Sequence, residues 1–487
     1  MRLSMKEWIE KNTYKILYTC VSLIIAIPFI NYLIQNKTVF KFIFVNTFTA
    51  SEYGQNNQIL NMVLFVLCFI LLFLLYFAII KNRDKLFKNI KQILIFTCLV
   101  GAIFALVIPV TSLDVYSYIG TGWVDSHYNE NPYYTSISDI REQIEPETRD
   151  EMLLKVARCW IDEPVVYGPA WAFMCKLLTS ISFGSIDIAL LIFKIAALIE
   201  LLACTWLIYK ITNKKIFAVI FALNPLILFE AVSNVHNDIF LILFMLLGIY
   251  FVVKKQKLWL SIIFLAIATG IKYMSVILVP FLVIYALQKE ELPKKIGKTV
   301  LYAIEFLAVI IGFYAIYMED FSVLSGLIVQ QDKYERSIFL LLNTIINNEQ
   351  VINILKMLAL TIFTAFYVYV VTGLFIKNKN EKITIKSIMQ QYNPFLLVFL
   401  LVLITNFNAW YLIWLFPTIM WQKSKNIRMM LCLSIGGIMA YGFTYLVQID
   451  SRPMGIPFFF TMIISSLCAY AIWQLKRNKM KKYKNKE

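Results

Sequence analysis

Apolar residues in this chain neither alternate with polar ones nor recur at the spacing of a surface helix; they run unbroken, and the gaps between runs are short and basic. Such runs cover residues 16–34, 60–80, 92–110, 186–208, 216–232, 239–253, 299–317, 352–376, 429–447 and 455–475. Most reach or approach the ~20 residues that carry a helix across a ~30 Å hydrocarbon layer. Two further stretches, 258–288 and 393–421, have basic clusters at both ends. Each must leave on the side it entered, as a hairpin of two shortened helices. The pattern predicts an all-α, polytopic membrane helical bundle of about 12–14 transmembrane helices, with two short-helix hairpins and a large first outer loop. Residues 168–182 are apolar but break the parity of crossings, so a re-entrant or interfacial helix is expected there.

Composition agrees, with 60% hydrophobic and 16% charged residues. No segment is polar and long enough for a separate soluble catalytic domain, so any site must be built from the bundle and its loops. One transmembrane domain is expected over 1–476, with the outer loop at 111–185, followed by a basic cytoplasmic tail at 477–487. Basic residues Arg2, Lys6, Lys11 and Lys15 precede the first run, which is long for a signal peptide and lacks a small-residue cleavage site. It reads as a retained span. The net charge of +16 would suggest nucleic acid on a folded surface, but here it sits in short inter-helix segments facing an anionic leaflet, so nucleic acid is not an expected partner and membrane lipids are. The eight cysteines lack metal-ligand spacing and read as packing residues, with Cys159 and Cys175 the one pair that could bridge on the outer side.

The basic clusters mark the inside, which places both termini in the cytoplasm of a plasma-membrane protein and the unusual polar clusters outside. Ionisable residues that gather at one membrane boundary are a default site hypothesis. Asp114, in Thr111-Ser-Leu-Asp-Val-Tyr-Ser-Tyr118, either caps the helix after it or serves as a general base flanked by Tyr116 and Tyr118. Asn131-Pro132-Tyr133 is a turn by itself, and Glu142, Glu145, Glu147, Asp150 and Glu151 a solvated acidic face. Asn224-Pro225 and Glu230 lead into Ser233-Asn-Val-His-Asn-Asp238, where His236, Asn237 and Asp238 can orient hydroxyls or help hold a cation. Lys272 stands at the tip of the first hairpin, suited to a phosphate unless it snorkels; Arg336 and Arg452 are further phosphate-binding candidates. The second tip, Thr405-Asn-Phe-Asn-Ala-Trp410-Tyr411-Leu-Ile-Trp414, offers an interfacial belt or a stacking wall for a sugar.

Taken in order, Asp114-Val-Tyr-Ser-Tyr-Ile-Gly, Asn131-Pro-Tyr, Tyr167-Gly-Pro, Asn224-Pro, His236-Asn-Asp, Lys272 with Pro280, and Trp410-Tyr-Leu-Ile-Trp resemble the glycosyltransferase-C superfamily over roughly residues 95–420. Within it the order is most similar to bacterial polyprenol-phosphate-mannose-dependent alpha-mannosyltransferases of the cell envelope. The resemblance implies an inverting hexosyltransferase, with mannose the expected sugar, that uses a polyprenyl-phosphate sugar donor and a glycan or glycolipid acceptor on the outer face. It maps the catalytic aspartate onto Asp114, with Tyr167 among the substrate-binding residues. Many members carry a second acidic residue beside the first; here the nearest is Asp125. A divalent cation, Mg or Mn, held with Asp114 and Asp238 therefore stays an open reading. Two rival readings are a lipid or sugar transporter or flippase, which should show inverted repeats and midplane charges, and a polysaccharide polymerase or ligase, which should show arginine-rich outer loops.

Sidedness is directly testable. Single cysteines at Asn131 and Asn408 should react with an impermeant thiol reagent in intact cells, and cysteines at Lys255 and Lys382 should not. The reverse pattern would undo the placement of every polar cluster above.

Overall fold

Proline and asparagine decide where the apolar runs break. In the computed structural model, which describes residues 5–35, 55–109, 111–144, 150–154, 156, 160–324, 336–377, 383–447 and 455–484, no strand is present among the described residues, and helices carry the chain. Arg452, Lys382, Cys159, Glu145 and Glu147 lie outside these ranges. The first helices are α1 (Met5–Gln35), α2 (Gln55–Leu86) and α3 (Ile90–Ala105). The long loop follows, with α4 (Asp114–Ser126), α5 (Ile137–Gln143), α6 (Glu151–Leu154) and α7 (Pro169–Ser180). Next come α8 (Ile186–Thr212), α9 (Lys215–Ala222), α10 (Pro225–Ile227), α11 (Asp238–Tyr250), α12 (Leu258–Ile271), α13 (Val279–Ala286) and α14 (Leu292–Tyr314). The chain continues through α15 (Ile338–Ile346), α16 (Glu349–Ile376), α17 (Ile385–Val398), α18 (Ser424–Val447) and α19 (Gly455–Lys484).

Among the described residues, six helices are long and apolar enough to cross a bilayer alone, and the bent pair Lys215–Ala222 with Pro225–Ser233 makes a seventh. That is fewer than the 12–14 crossings expected from run length. The difference lies partly in runs that fold as shorter apolar helices, such as Ile90–Ala105, Leu258–Ile271, Tyr273–Ala286 and Ala409–Trp421. At 12 residues, α7 is about 18 Å long, too short to span, and it packs on α4.

The bent pair shows how a break is tolerated. Pro225 has no N–H to offer the preceding turn, so α9 ends at Ala222 and the chain turns by 47°. The carbonyls left without helical partners are met by distant phenols: Tyr76 donates to Ile220 O at 2.7 Å and Tyr18 to Leu223 O at 2.7 Å. A π-turn over Leu228–Ser233 follows, ending just before the His236 segment. Both expected hairpins also break at their polar residues. Lys272 is extended after α12 and leads into a 3-10 turn, Tyr273–Leu278; residues 404–408 separate the π-turn after α17 from a 13-residue 3-10 helix, Ala409–Trp421. A 3-10 run that long is uncommon.

One large apolar core joins most elements, and a small one, Tyr133, Ala172, Tyr317 and Val323, binds the long loop to the end of α14. Helices α14 and α16 keep apolar faces outward, with Ile304 and Ile311 more than half exposed, as a lipid solvent permits.

Two backbones meet where α7 begins. Gly168 donates to Ile271 O at 3.3 Å, and a Cβ built on Gly168 would lie 2.2 Å from Gly270 O. This approach sets Tyr167 beside Lys272. Since backbone cannot give way as a side chain can, Gly168→Ala should cost about 1–3 kcal/mol and visibly lower the thermal midpoint of the detergent-solubilised protein. Gly297→Ala and Gly312→Ala, which meet open space, should leave that midpoint nearly unchanged.

Candidate active site

Three polar links hold the loop before Asp114 against the segment before His236. Ser233 Oγ donates to Phe104 O at 2.8 Å, Asn234 Nδ2 to Thr111 Oγ1 at 2.7 Å, and the buried Lys194 ammonium to the carbonyls of both Val107 and Ser233. Between Asn234 and His236, Val235 has φ 56°. A β-branched residue in the left-handed region is a true outlier, and such strain persists where its surroundings over-determine it.

Asp114 is the first residue of α4, whose N-cap position is Leu113, and the Asp114 side chain does not cap that helix; Ser112 Oγ accepts from the Asp114 N–H at 3.2 Å. The carboxylate instead faces His236, with Oδ2 3.7 Å from Nδ1. On the far side of the imidazole, Nε2 is 3.3 Å from Glu230 Oε2, which also accepts from Asn234 Nδ2 at 2.9 Å. Trp410 stacks on the same imidazole, the ring centres 3.7 Å apart. His236 and Glu230 are fully buried, while the Asp114 side chain keeps 15% of its surface open. Asp114 is thus the one member of this chain of contacts that an incoming molecule can reach.

Next to it lies a buried ion pair. Lys272 Nζ donates to both Asp238 oxygens at 2.8 Å, Trp414 Nε1 donates to Asp238 Oδ1, and the Asp238 side chain is wholly buried. The ammonium sits 5.0 Å from the Tyr411 ring centre, 5.5 Å from Trp414 and 5.7 Å from Tyr167, within cation–π range of each. Two of its three protons serve Asp238, and the third can serve an anion. Asn237, between His236 and Asp238, is buried with neither amide atom bonded. A buried amide without partners is costly, and a bound substrate offers a reason for it.

Tyr118 and Tyr167 link the long loop to this cluster, their hydroxyls 3.3 Å apart and their rings edge to face. Burial first, and the nearby Asp114 carboxylate with it, pushes both phenols well above their usual range. They stay neutral hydrogen-bonding groups at any pH a cell membrane meets.

The structure therefore gathers Asp114, Tyr118, Tyr167, His236, Asn237, Asp238, Lys272, Trp410 and Tyr411 in one region. Tyr133 acts from behind, donating to Tyr167 O at 2.7 Å, and Asn131 fastens the loop to Tyr317 O at 2.6 Å. Tyr116 is buried in the main core and does not line the cavity that Asp114 and Tyr118 line. Arg336 donates to Asn408 and covers the Phe458 ring, which fixes the tip carrying Trp410. Glu230 completes the cluster although it is not a site candidate from sequence, and Trp414, read there only as part of the second tip, joins it through Asp238. The signal of Glu230 was present, an acidic residue inside an apolar run, but only contacts give it meaning. The same holds for Asp125, bound by Lys176 at 2.7 Å and by the Tyr317 hydroxyl at 2.7 Å.

Among the described residues no three His, Cys, Asp or Glu side chains converge to hold a metal, and Asp238 is occupied by Lys272 and Trp414.

A family model described as "Alpha-(1->6)-mannopyranosyltransferase, N-terminal domain" matches residues 21–288, a range that includes Asp114, His236, Asp238 and Lys272. Alpha-(1->6)-mannopyranosyltransferase A of Corynebacterium glutamicum is 24% identical over 200 residues, 39% of this chain and 37% of that protein. The Mycobacterium tuberculosis protein of the same name is 25% identical over 187 residues, 36% of this chain and 33% of that protein. The matched part thus spans about a third of the length of these curated relatives. No solved structure matches.

Proposed function

The chain belongs to the alpha-(1->6)-mannopyranosyltransferase family, and from that premise we propose that it transfers mannose from a polyprenyl-phosphate donor to a glycan or glycolipid acceptor on the outer face of the membrane. The observation that carries the reading is an accessible carboxylate, Asp114, beside a buried, aromatic-ringed lysine, Lys272. A lipid-linked donor suits a site built within a membrane bundle, because it arrives through the bilayer and needs no cytosolic nucleotide sugar. Lysine placement between the apolar runs favours the outer face.

In the reaction, the acceptor hydroxyl attacks C1 of the donor sugar, opposite the phosphate. The new C–O bond forms as the C1–phosphate oxygen bond breaks, through an oxocarbenium-like state. The bonding pair leaves with the polyprenyl phosphate, whose charge the ammonium of Lys272 meets. Asp114 takes the acceptor proton, and the His236–Glu230 pair behind it holds its orientation. Trp410 and Tyr411 supply faces for a sugar ring or a gate for the isoprenoid chain. Inversion at C1 follows from the single displacement. Arg452 would be a second cation for the phosphate.

Purified protein given radiolabelled polyprenyl-phosphate hexoses should transfer mannose in preference to other sugars. Asp114→Asn keeps size and most hydrogen-bonding capacity, so it should fold and bind donor while turnover falls at least ~100-fold. Activity within a few-fold of wild type would remove Asp114 from the role of base.

Lys272→Ala should raise the Michaelis constant for the lipid donor by more than that for the acceptor. An unchanged donor constant would leave Lys272 as a packing partner of Asp238 and nothing more.

A further inference from the structure

Around Asp114 the long loop encloses an opening. Its walls come from α4, the turn at 132–137 and the loop at 160–167. The walls are pre-formed. A reciprocal cap between Ser136 and Asp139 fixes the start of α5, while Val165 N donates to Pro132 O at 3.1 Å and Ser138 N to Ile161 O at 3.0 Å.

Its lining is chemically one-sided. Ser117, Thr121, Thr135 and Ser136 bring hydroxyls, Trp160 brings an indole, Asp114 and Glu163 bring carboxylates, and among the described residues no lysine, arginine or histidine lines it. An anionic ligand would meet two like charges and, among the described lining residues, no cation. A neutral, hydroxyl-rich ligand fits instead: carboxylates and side-chain hydroxyls bond its hydroxyls, and an indole packs against a sugar's C–H face. Ser117 Oγ, on a residue of this wall, is buried with no hydrogen-bond partner, as a position kept for a ligand hydroxyl would be.

Three residues belong both to this cavity and to the cluster around Lys272: Asp114 lines the cavity and faces His236, Tyr167 lines it and lies under the Lys272 ammonium, and Tyr118 lines it and meets the Tyr167 hydroxyl. Lys272, the cation for a phosphate, does not itself line the cavity. We infer that this cavity is the acceptor subsite, taking an uncharged oligosaccharide end whose attacking hydroxyl is presented to Asp114, with Glu163 and Trp160 as its binding residues. The inference rests on the transferase reading above and adds the place and charge class of the acceptor.

The test uses the full-length protein in nanodiscs and an octyl glycoside of α-1,6-linked mannobiose as the probe. Binding is read by calorimetry in the absence of donor, and transfer by steady-state kinetics. Glu163→Gln and Trp160→Phe should each weaken probe binding, Glu163→Gln by about 10-fold or more for one charge-assisted hydrogen bond. Both should raise the Michaelis constant for acceptor while leaving that for the polyprenyl-phosphate donor within two-fold. Glu163→Gln, a near-isosteric loop change, keeps the test valid if the aromatic variant folds poorly. Probe binding that weakens in the variants, in a protein with no mannosyl transfer, supports the subsite and counts against the reaction. Unchanged probe affinity in Glu163→Gln, or a rise in the donor constant alone, overturns the subsite and assigns the cavity to something other than the acceptor.

Discussion

A lysine and an aspartate taken out of water together constrain this site more than any other contact. Neither Asp238 nor Lys272 could stay charged alone among apolar helices, since the effective penalty for one buried ion is several kcal/mol. Paired at 2.8 Å, with Trp414 adding a donor, they fix the start of α11 against the end of α12. The three rings around the ammonium come from the long loop and from the tip after residue 408, so one ion pair registers four remote segments. The contact of Gly168 with Gly270 tightens the same register from the backbone side.

Breaks in helices are expensive inside a membrane, and this chain places its breaks where they serve the site. The turn at Asn224-Pro225 and the π-turn after it aim Glu230 and His236 inward, and remote phenols satisfy the backbone groups that the turn releases. Lys272 stands at the next break, and Trp410, Tyr411 and Trp414 belong to the long 3-10 helix after the third. Irregular backbone at depth is acceptable only when protein or a cavity takes up its polar groups. Here the protein does so, and the same irregularity turns side chains toward one another that a straight helix would spread around its circumference.

Charge divides the region. Near Asp114 are a cation and aromatic faces, and in the cavity that Asp114 lines are hydroxyls, an indole and a second carboxylate, with no base among the described lining residues. The Asp114 carboxylate is open while Glu230 and Asp238 are closed off.

The sequence by itself determined that the chain is an all-α membrane protein, because unbroken apolar runs have no other stable solution in lipid. It also marked Asp114, His236, Asp238, Lys272 and Trp410, since polar or aromatic residues at the ends of apolar runs are costly and stand out. Only the tertiary structure decided which of them meet. Tyr116 and Tyr118 are two residues apart and read alike, yet one enters the core and the other joins Tyr167. Glu230 looked like part of an ordinary run, and Trp414 like a member of an aromatic tip, until contacts gave them His236 and Asp238 as partners. Where the apolar runs break into shorter helices depends on a proline or a lysine that run length does not weigh. The acceptor-side cavity left no periodic signal at all, for its walls are loop residues brought together by turns and caps. Local pattern records what each segment costs to bury, whereas pairing across the bundle depends on distances that no segment contains.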